Sequence, residues 1–183
     1  NVTVPADFIV AATGDLQNPQ QVLTKKELER YERAKKTFDK PVLITTQDEA
    51  IKKENNPIKN KTKTWRYKAE MVRDVAFAAS RKFIWDAMAV QLDNYTPLAM
   101  SYYSKEGNPL WEEESTKAVA NTLKTDSEHT IEYPYPVAIS VHAASIGMEY
   151  PMICFNFGRP NEDGTYSDCL LYTSPSPRDV LRS

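Results

Sequence analysis

The sequence predicts an α+β fold, and it does so through a change of pattern along the chain. Up to about residue 94 the apolar runs are short and rich in β-branched and aromatic residues, with one helical stretch among them. From about residue 105 the order becomes helix, strand, strand. No segment repeats, so a solenoid or propeller is excluded. The shift divides the chain into a β-rich domain over residues 1–104, with a helical insertion at about 19–64, then a second unit over 105–167 and a tail over 168–183.

Residues 8–12, Phe-Ile-Val-Ala-Ala, read as a strand that ends in the turn Thr13-Gly14-Asp15; Asn18-Pro19 then opens a loop. Thr24 and Glu27 have capping-box spacing, in which hydroxyl and carboxylate each satisfy a free amide at the helix start. Leu23 and Leu28 sit where a hydrophobic staple would, and Leu28, Tyr31, Lys35 and Phe38 share one face of the helix that follows. Pro41 ends this helix, and residues 42–46 form a β-branched strand. Thr46 and Glu49 repeat the capping spacing ahead of a short helix to about Lys53. The polar, lysine-rich residues 54–64 read as an exposed loop. Strands are expected at 65–69, 72–79, 83–92 and 100–103.

Asn108-Pro109 opens a second helix. Asn is a good cap, and Pro at the first helical position loses no hydrogen bond. Glu112, Glu113 and Glu114 fall in the first turns, where the helix dipole favours acids. Trp111, Ser115, Ala118 and Thr122 form its inward stripe. Residues 137–142 and 148–156 are strands, and 161–164 a turn. The face of Val137, Ile139 and Val141 is expected to lack part of its cover.

With 183 residues the chain is long enough for a substantial core. Lys+Arg 23 against Asp+Glu 25 gives a net charge of −2, without the basic excess of a dedicated nucleic-acid binder. No apolar run is long enough to span a bilayer, so no transmembrane segment is expected. Two cysteines, Cys154 and Cys169, make neither a disulfide framework nor a cysteine zinc site. The two histidines, His129 and His142, are too far apart to share a helical face, and each reads as an ordinary histidine. From Cys169 onward, Leu-Leu-Tyr-Thr-Ser-Pro-Ser-Pro-Arg-Asp has neither helical nor strand period. It resembles a translated sequencing adapter, so residues 168–183 are expected to be a non-native or disordered tail.

One constellation carries chemistry. Gly147-Met148-Glu149 lies between two strands. Gly147 permits close approach of another backbone. Glu149 stands among Met148, Met152, Ile153 and Phe155, and a carboxylate in apolar company needs a partner. That partner is water at a strand edge, an arginine of the protein, or a cationic ligand.

Gly147-Met148-Glu149-Tyr150-Pro151 resembles the substrate motif of the zinc aminopeptidase family that includes aminopeptidase N and leukotriene hydrolase, in its bacterial form. Thr13-Gly14-Asp15-Leu16-Gln17-Asn18, the stretch from Trp65 through Arg73-Asp74-Val75-Ala76-Phe77-Ala78, and Tyr133-Pro134-Tyr135-Pro136 resemble the same family in the same order. The chain departs from the pattern at Ile146, where glycine is usual, and at Tyr150, where asparagine is usual.

The resemblance implies a saddle-like β-rich N-terminal domain followed, from residue 105, by the incomplete start of a thermolysin-like catalytic domain. It implies removal of N-terminal residues from peptides, with Gly147, Met148 and Glu149 binding the substrate and Glu149 holding its free amino group. It implies Zn2+ in the intact parent, and peptides with a free N-terminus as partners. The family's His-Glu-x-x-His helix is not in this sequence. The chain is therefore expected to stop short of the metal site, to bind no zinc and to be inactive alone. The alternative is a non-catalytic peptidase-like binding or scaffold domain. Compartment is not legible, although bacterial relatives imply a periplasmic or secreted parent.

Overall fold

The computed structural model describes residues 1–144, 147–159 and 161. Its elements are, in order, β1 (Val2–Pro5), β2 (Ile9–Ala12), β3 (Asp15–Leu16), α1 (Pro19–Val22), α2 (Lys25–Ala34), β4 (Val42–Thr45), α3 (Gln47–Asn55), β5 (Thr62–Trp65) and β6 (Tyr67–Lys68). There follow β7 (Phe77–Ser80), β8 (Ile84–Ala89), β9 (Leu98–Tyr103), α4 (Thr116–His129), β10 (Val137–His142), β11 (Met148–Tyr150) and β12 (Ile153–Asn156). This is the expected mixture of helix and strand. No helix among the described residues is long and apolar enough to cross a membrane.

A six-stranded sheet, ordered β11-β12-β10-β9-β8-β4, forms the centre. Strand β10 runs parallel to both β9 and β12, and the remaining pairs are antiparallel. Three two-stranded pairings, β1-β5, β2-β7 and β3-β6, carry the N-terminal segments. The expected boundary near residue 104 falls between β9 and β10, which pair side by side. Strand β4, inside the expected helical insertion, is an edge of the same sheet.

Alternation along the strands sends one set of side chains to each face. Trp85, Met100, Tyr102, Val137, Ile139, Val141 and Ile153 join Trp65, Tyr31 and the β2 residues in the largest apolar cluster. Ile139 and Val141 are each 1% exposed, so the face expected to lack part of its cover is covered, and the residues it packs with come from the N-terminal half of the chain. On the other face α4 packs Val119, Ala120 and Leu123 against Met88, Ala99 and Ala138.

Both capping boxes form. The Thr24 and Thr46 hydroxyls accept from the Glu27 and Glu49 amides, and each carboxylate accepts from its threonine's backbone N–H. Glu27 goes further than a cap: it is buried, and it also accepts from Thr45 Oγ1 and pairs with Lys53 at 2.7 Å. Burial pushes its carboxyl up, but Lys53 and the Thr24 hydrogen bonds leave it below its ordinary value.

Several expectations change. Asn18-Pro19 opens the short helix α1 rather than a loop, and residues 62–65 pair as β5 with β1. Of the expected strand 72–79 only residues 77–79 are in a strand, as part of β7. The second helix starts with a π-helical turn, Trp111–Ser115, which inserts an extra residue and rotates the inward face. Trp111 and Ser115 stay buried, but the stripe continues through Thr116, Val119, Ala120 and Leu123 instead of Ala118 and Thr122. Asn108 does not cap; its amide donates to Gln47 and Glu112.

A buried carboxylate fixes that helix start. Asp86 on β8 accepts from Tyr103 Oη at 2.6 Å and from Thr116 Oγ1, and it is 1% exposed. Thr116 Oγ1 also lies 2.7 Å from Ser101 Oγ, which lies 2.8 Å from Ser115 Oγ. Burial pushes the Asp86 carboxyl up to about 7, against the pull of the two hydroxyl donors. A carboxyl whose value rises from an ordinary 3.8 to about 7 on folding contributes stability that is complete below about 3.8 and is lost as pH rises through about 7. In urea unfolding the wild type will lose stability relative to Asp86→Asn as pH rises across this range. The same dependence of stability on pH in wild type and variant would contradict the assignment.

Candidate functional site

The segments that carry the family resemblance are far apart in sequence, and the fold brings them together. Thr13 is the meeting point. Its backbone N–H donates to Ala76 O at 3.0 Å, and its Oγ1 accepts from Ala76 N at 3.1 Å. The same hydroxyl donates to Pro151 O at 3.1 Å, a contact between residues 138 apart in sequence. Beyond Thr13, Asn18 accepts from Arg66 N and donates to Thr64 O. Tyr135 Oη donates to Met71 O at 3.2 Å, which ties in the fourth segment.

Glycine is required at one of these positions for a steric reason. Gly14 has φ +107°, and a Cβ there would sit 2.5 Å from the backbone oxygen of Lys68 on β6. Gly147 has φ +69°, but among the described residues a Cβ there would meet nothing within 4 Å.

Glu149 lies in the middle of β11, which is the terminal strand of the sheet among the described residues. Residues 148–156 are not the single strand expected. They form a hairpin, β11 and β12, around the two-residue turn Pro151-Met152, with Tyr150 opposite Ile153 and Glu149 opposite Cys154. Pro inside an apolar run was the signal for the turn. Met148 and Glu149 are exposed, while Tyr150 is half-buried, with its ring edge-on to Phe155 at 6.2 Å. Ile146, the departure from the family pattern, lies outside the described residues, as do the tail over 168–183 and all but Asn161 of the turn at 161–164.

Cross-strand partners share a face, and the register draws a line across the sheet. Asp86 is opposite Ser101, Ser101 opposite Ser140, Ser140 opposite Cys154, and Cys154 opposite Glu149. Glu149 therefore ends a row of small polar residues on the α4 face, away from the largest apolar cluster. Asn156 braces the outer part of the row, donating to Ser140 Oγ at 2.9 Å and Cys154 Sγ at 3.3 Å. Sequence reading missed this row, whose signals were single polar residues inside apolar strands.

His142 ends β10, just before the segment that leads to Gly147. Its ring lies 4.9 Å from Trp111, and its Nδ1 is 3.4 Å from Ser104 Oγ. Burial, with Arg159 nearby, pushes the imidazole below its ordinary value, so it is neutral at pH 7. Trp111 Nε1 donates to Gly158 O at 2.9 Å, so one indole touches both the end of β10 and the segment that leaves β12. His129 is exposed at the end of α4, its Nδ1 2.8 Å from Thr125 O. Among the described residues no group of three His, Cys, Asp or Glu is gathered as a metal site. These residues do not fit a zinc ion, and no step through a metal follows from them.

No family model matches this chain, and no curated protein matches it. Among solved structures it is similar to an M1 zinc metallopeptidase mutant from Deinococcus radiodurans, with 15% identity and a TM-score of 0.49. It is similar at the same level to a two-domain M1 zinc metallopeptidase mutant bound to L-tryptophan. In each case 84% of this chain is covered, and the chain spans 28% of the other's length.

Glycine-to-alanine exchange separates the two glycines. Gly14→Ala will destabilise by more than about 3 kcal/mol, since a backbone clash adds to the left-handed strain. Gly147→Ala will cost only about 1 kcal/mol, the strain alone. Urea midpoints measure both, and equal costs would contradict the tight Gly14–Lys68 approach.

Proposed function

We propose that this chain carries the substrate-recognition edge of a zinc aminopeptidase-like protein that removes N-terminal residues from peptides. The observation that carries the reading is the contact of Thr13 with both Ala76 and Pro151. It joins three of the four segments on which the family resemblance rests, and it does so beside the strand that bears Glu149.

The chemistry follows from the residues. A peptide's α-amino group has a pKa of roughly 7.7–8.0 and is mostly charged at neutral pH. We read Glu149, exposed on the strand that ends the sheet among the described residues, as the acceptor of a charge-assisted hydrogen bond from it. A peptide lying along β11 adds a strand to the sheet, with main-chain hydrogen bonds supplying affinity. Holding the leading ammonium at a fixed point measures the distance to the first peptide bond, which makes the parent an exopeptidase. Zinc in such a parent supplies Lewis-acid activation of the scissile carbonyl and of water. The described residues of this chain supply recognition, and we propose that the chain alone does not turn over substrate.

Isothermal titration will test the anchor. The chain will bind a free-amino tripeptide about ten-fold or more tighter than its N-acetylated counterpart, the size expected of a charged hydrogen bond. Glu149→Gln will erase the difference. Equal binding of the two peptides by the wild-type chain would overturn the proposal. In a separate assay aminoacyl substrates will stay intact with added Zn2+, and robust turnover lost in Glu149→Ala would show that the chain holds a complete centre.

A further inference from the structure

The hairpin that presents Glu149 is built on a strained turn. Pro151 occupies its first central position and Met152 its second, and Met152 has φ +65°. Proline followed by a positive φ is the pattern of a type II turn, where glycine is the usual second residue. Methionine in the left-handed region costs about 1–2 kcal/mol. Met152 is held there nonetheless, with its side chain 2% exposed in the largest apolar cluster.

Types I and II differ by a flip of the peptide between the two central residues, and that peptide carries the carbonyl of Pro151. Thr13 grips this carbonyl. Because Ala76 N is itself a donor to Thr13 Oγ1, the hydroxyl proton is left for Pro151 O. The next carbonyl, Met152 O, accepts from Ile139 N at 2.9 Å. Both carbonyls of the turn are thus fixed from outside the hairpin, one by the N-terminal segment and one by β10. A net hydrogen bond is worth about 1 kcal/mol, comparable to the strain it opposes. Without the Thr13 hydroxyl the central peptide loses the bond that favours the flipped form. Relaxation toward type I changes the twist between β11 and β12, and with it the direction in which Glu149 leaves the strand.

We infer that Thr13 is a positioning residue for amine recognition: by holding the Pro151 carbonyl it keeps the strained Met152 turn, and so the orientation of Glu149. This rests on the reading of Glu149 as the ammonium anchor. Thr13 touches no ligand, and acts only through the turn.

The test compares the affinity of the chain for a free-amino tripeptide and for its N-acetylated form in Thr13→Val, Thr13→Ser and Met152→Gly backgrounds. Thr13→Val keeps the shape and removes the hydroxyl. It will lower affinity for the free-amino peptide about five-fold, the equivalent of one hydrogen bond, and leave the acetylated peptide unchanged. Thr13→Ser will restore the wild-type value. Glycine at 152 removes the strain that Thr13 opposes, so in Met152→Gly the further loss on Thr13→Val will shrink to less than about two-fold. This pair also decides the matter if Thr13→Val alone does not fold. Wild-type selectivity in Thr13→Val, or an equal loss with and without Met152→Gly, overturns the positioning role while leaving Glu149 as anchor. A wild-type chain that does not distinguish the two peptides overturns both.

Discussion

Strand β9 pairs antiparallel with β8 on one side and parallel with β10 on the other, and the rest of the molecule is arranged around that mixed pairing. Parallel neighbours cannot be joined by a hairpin, so the chain must cross over one face between them, and α4 is that crossover. The opposite face is left apolar and must be covered by something else. The N-terminal segments do this, which is why Trp65, Tyr31 and β2 share a cluster with Ile139 and Ile153. Among the described residues the sheet, buried on both faces, ends in β4 and β11. At β4 the Ile44 carbonyl accepts from Arg30 Nη1 at 3.0 Å, and this guanidinium also pairs with Glu49, so the edge is blunted. Among the described residues the other edge is β11, and it carries Glu149.

The two faces differ in kind. One is almost wholly apolar. The other carries a polar line from Asp86 to Glu149, buried at one end and exposed at the other. Small side chains along the line let α4 and the π-helical turn sit close to the sheet. Hydroxyls on Thr116 and Tyr103 meet the buried carboxylate there, since an unpartnered one would cost several kcal/mol or more. The same register that buries Asp86 sets Glu149 on the α4 face, so the orientation of the exposed acid is a consequence of packing across the whole sheet.

What the sequence made legible was local. Thr24 with Glu27 and Thr46 with Glu49 form boxes within four residues, and both helix starts appear where the spacing puts them. The strand at Val137–His142 was legible from its alternation. The turn at Pro151-Met152 had a local signal that the apolar run concealed. The π-helical turn had none, because one inserted residue changes no composition, yet it moves the inward face from Ala118 and Thr122 to Val119 and Leu123. Contacts at long range were invisible. Nothing in the sequence ties Thr13 to Pro151, and nothing announces that Val137, Ile139 and Val141 are covered from the N-terminal half. Of the candidate site, Gly147, Met148 and Glu149 could be picked out from family resemblance, and the structure sets them at the terminal strand. Thr13 stood in a recognised segment, but its grip on the turn belongs to the fold alone.

The central claim is that the Glu149 carboxylate receives a peptide's leading ammonium. The most direct measurement is the carboxyl-carbon resonance of Glu149 in protein labelled at glutamate side chains, assigned by comparison with Glu149→Gln. Adding a free-amino dipeptide is expected to move this resonance saturably, while the N-acetylated dipeptide leaves it in place. A resonance that stays still with both, or moves equally with both, contradicts the claim.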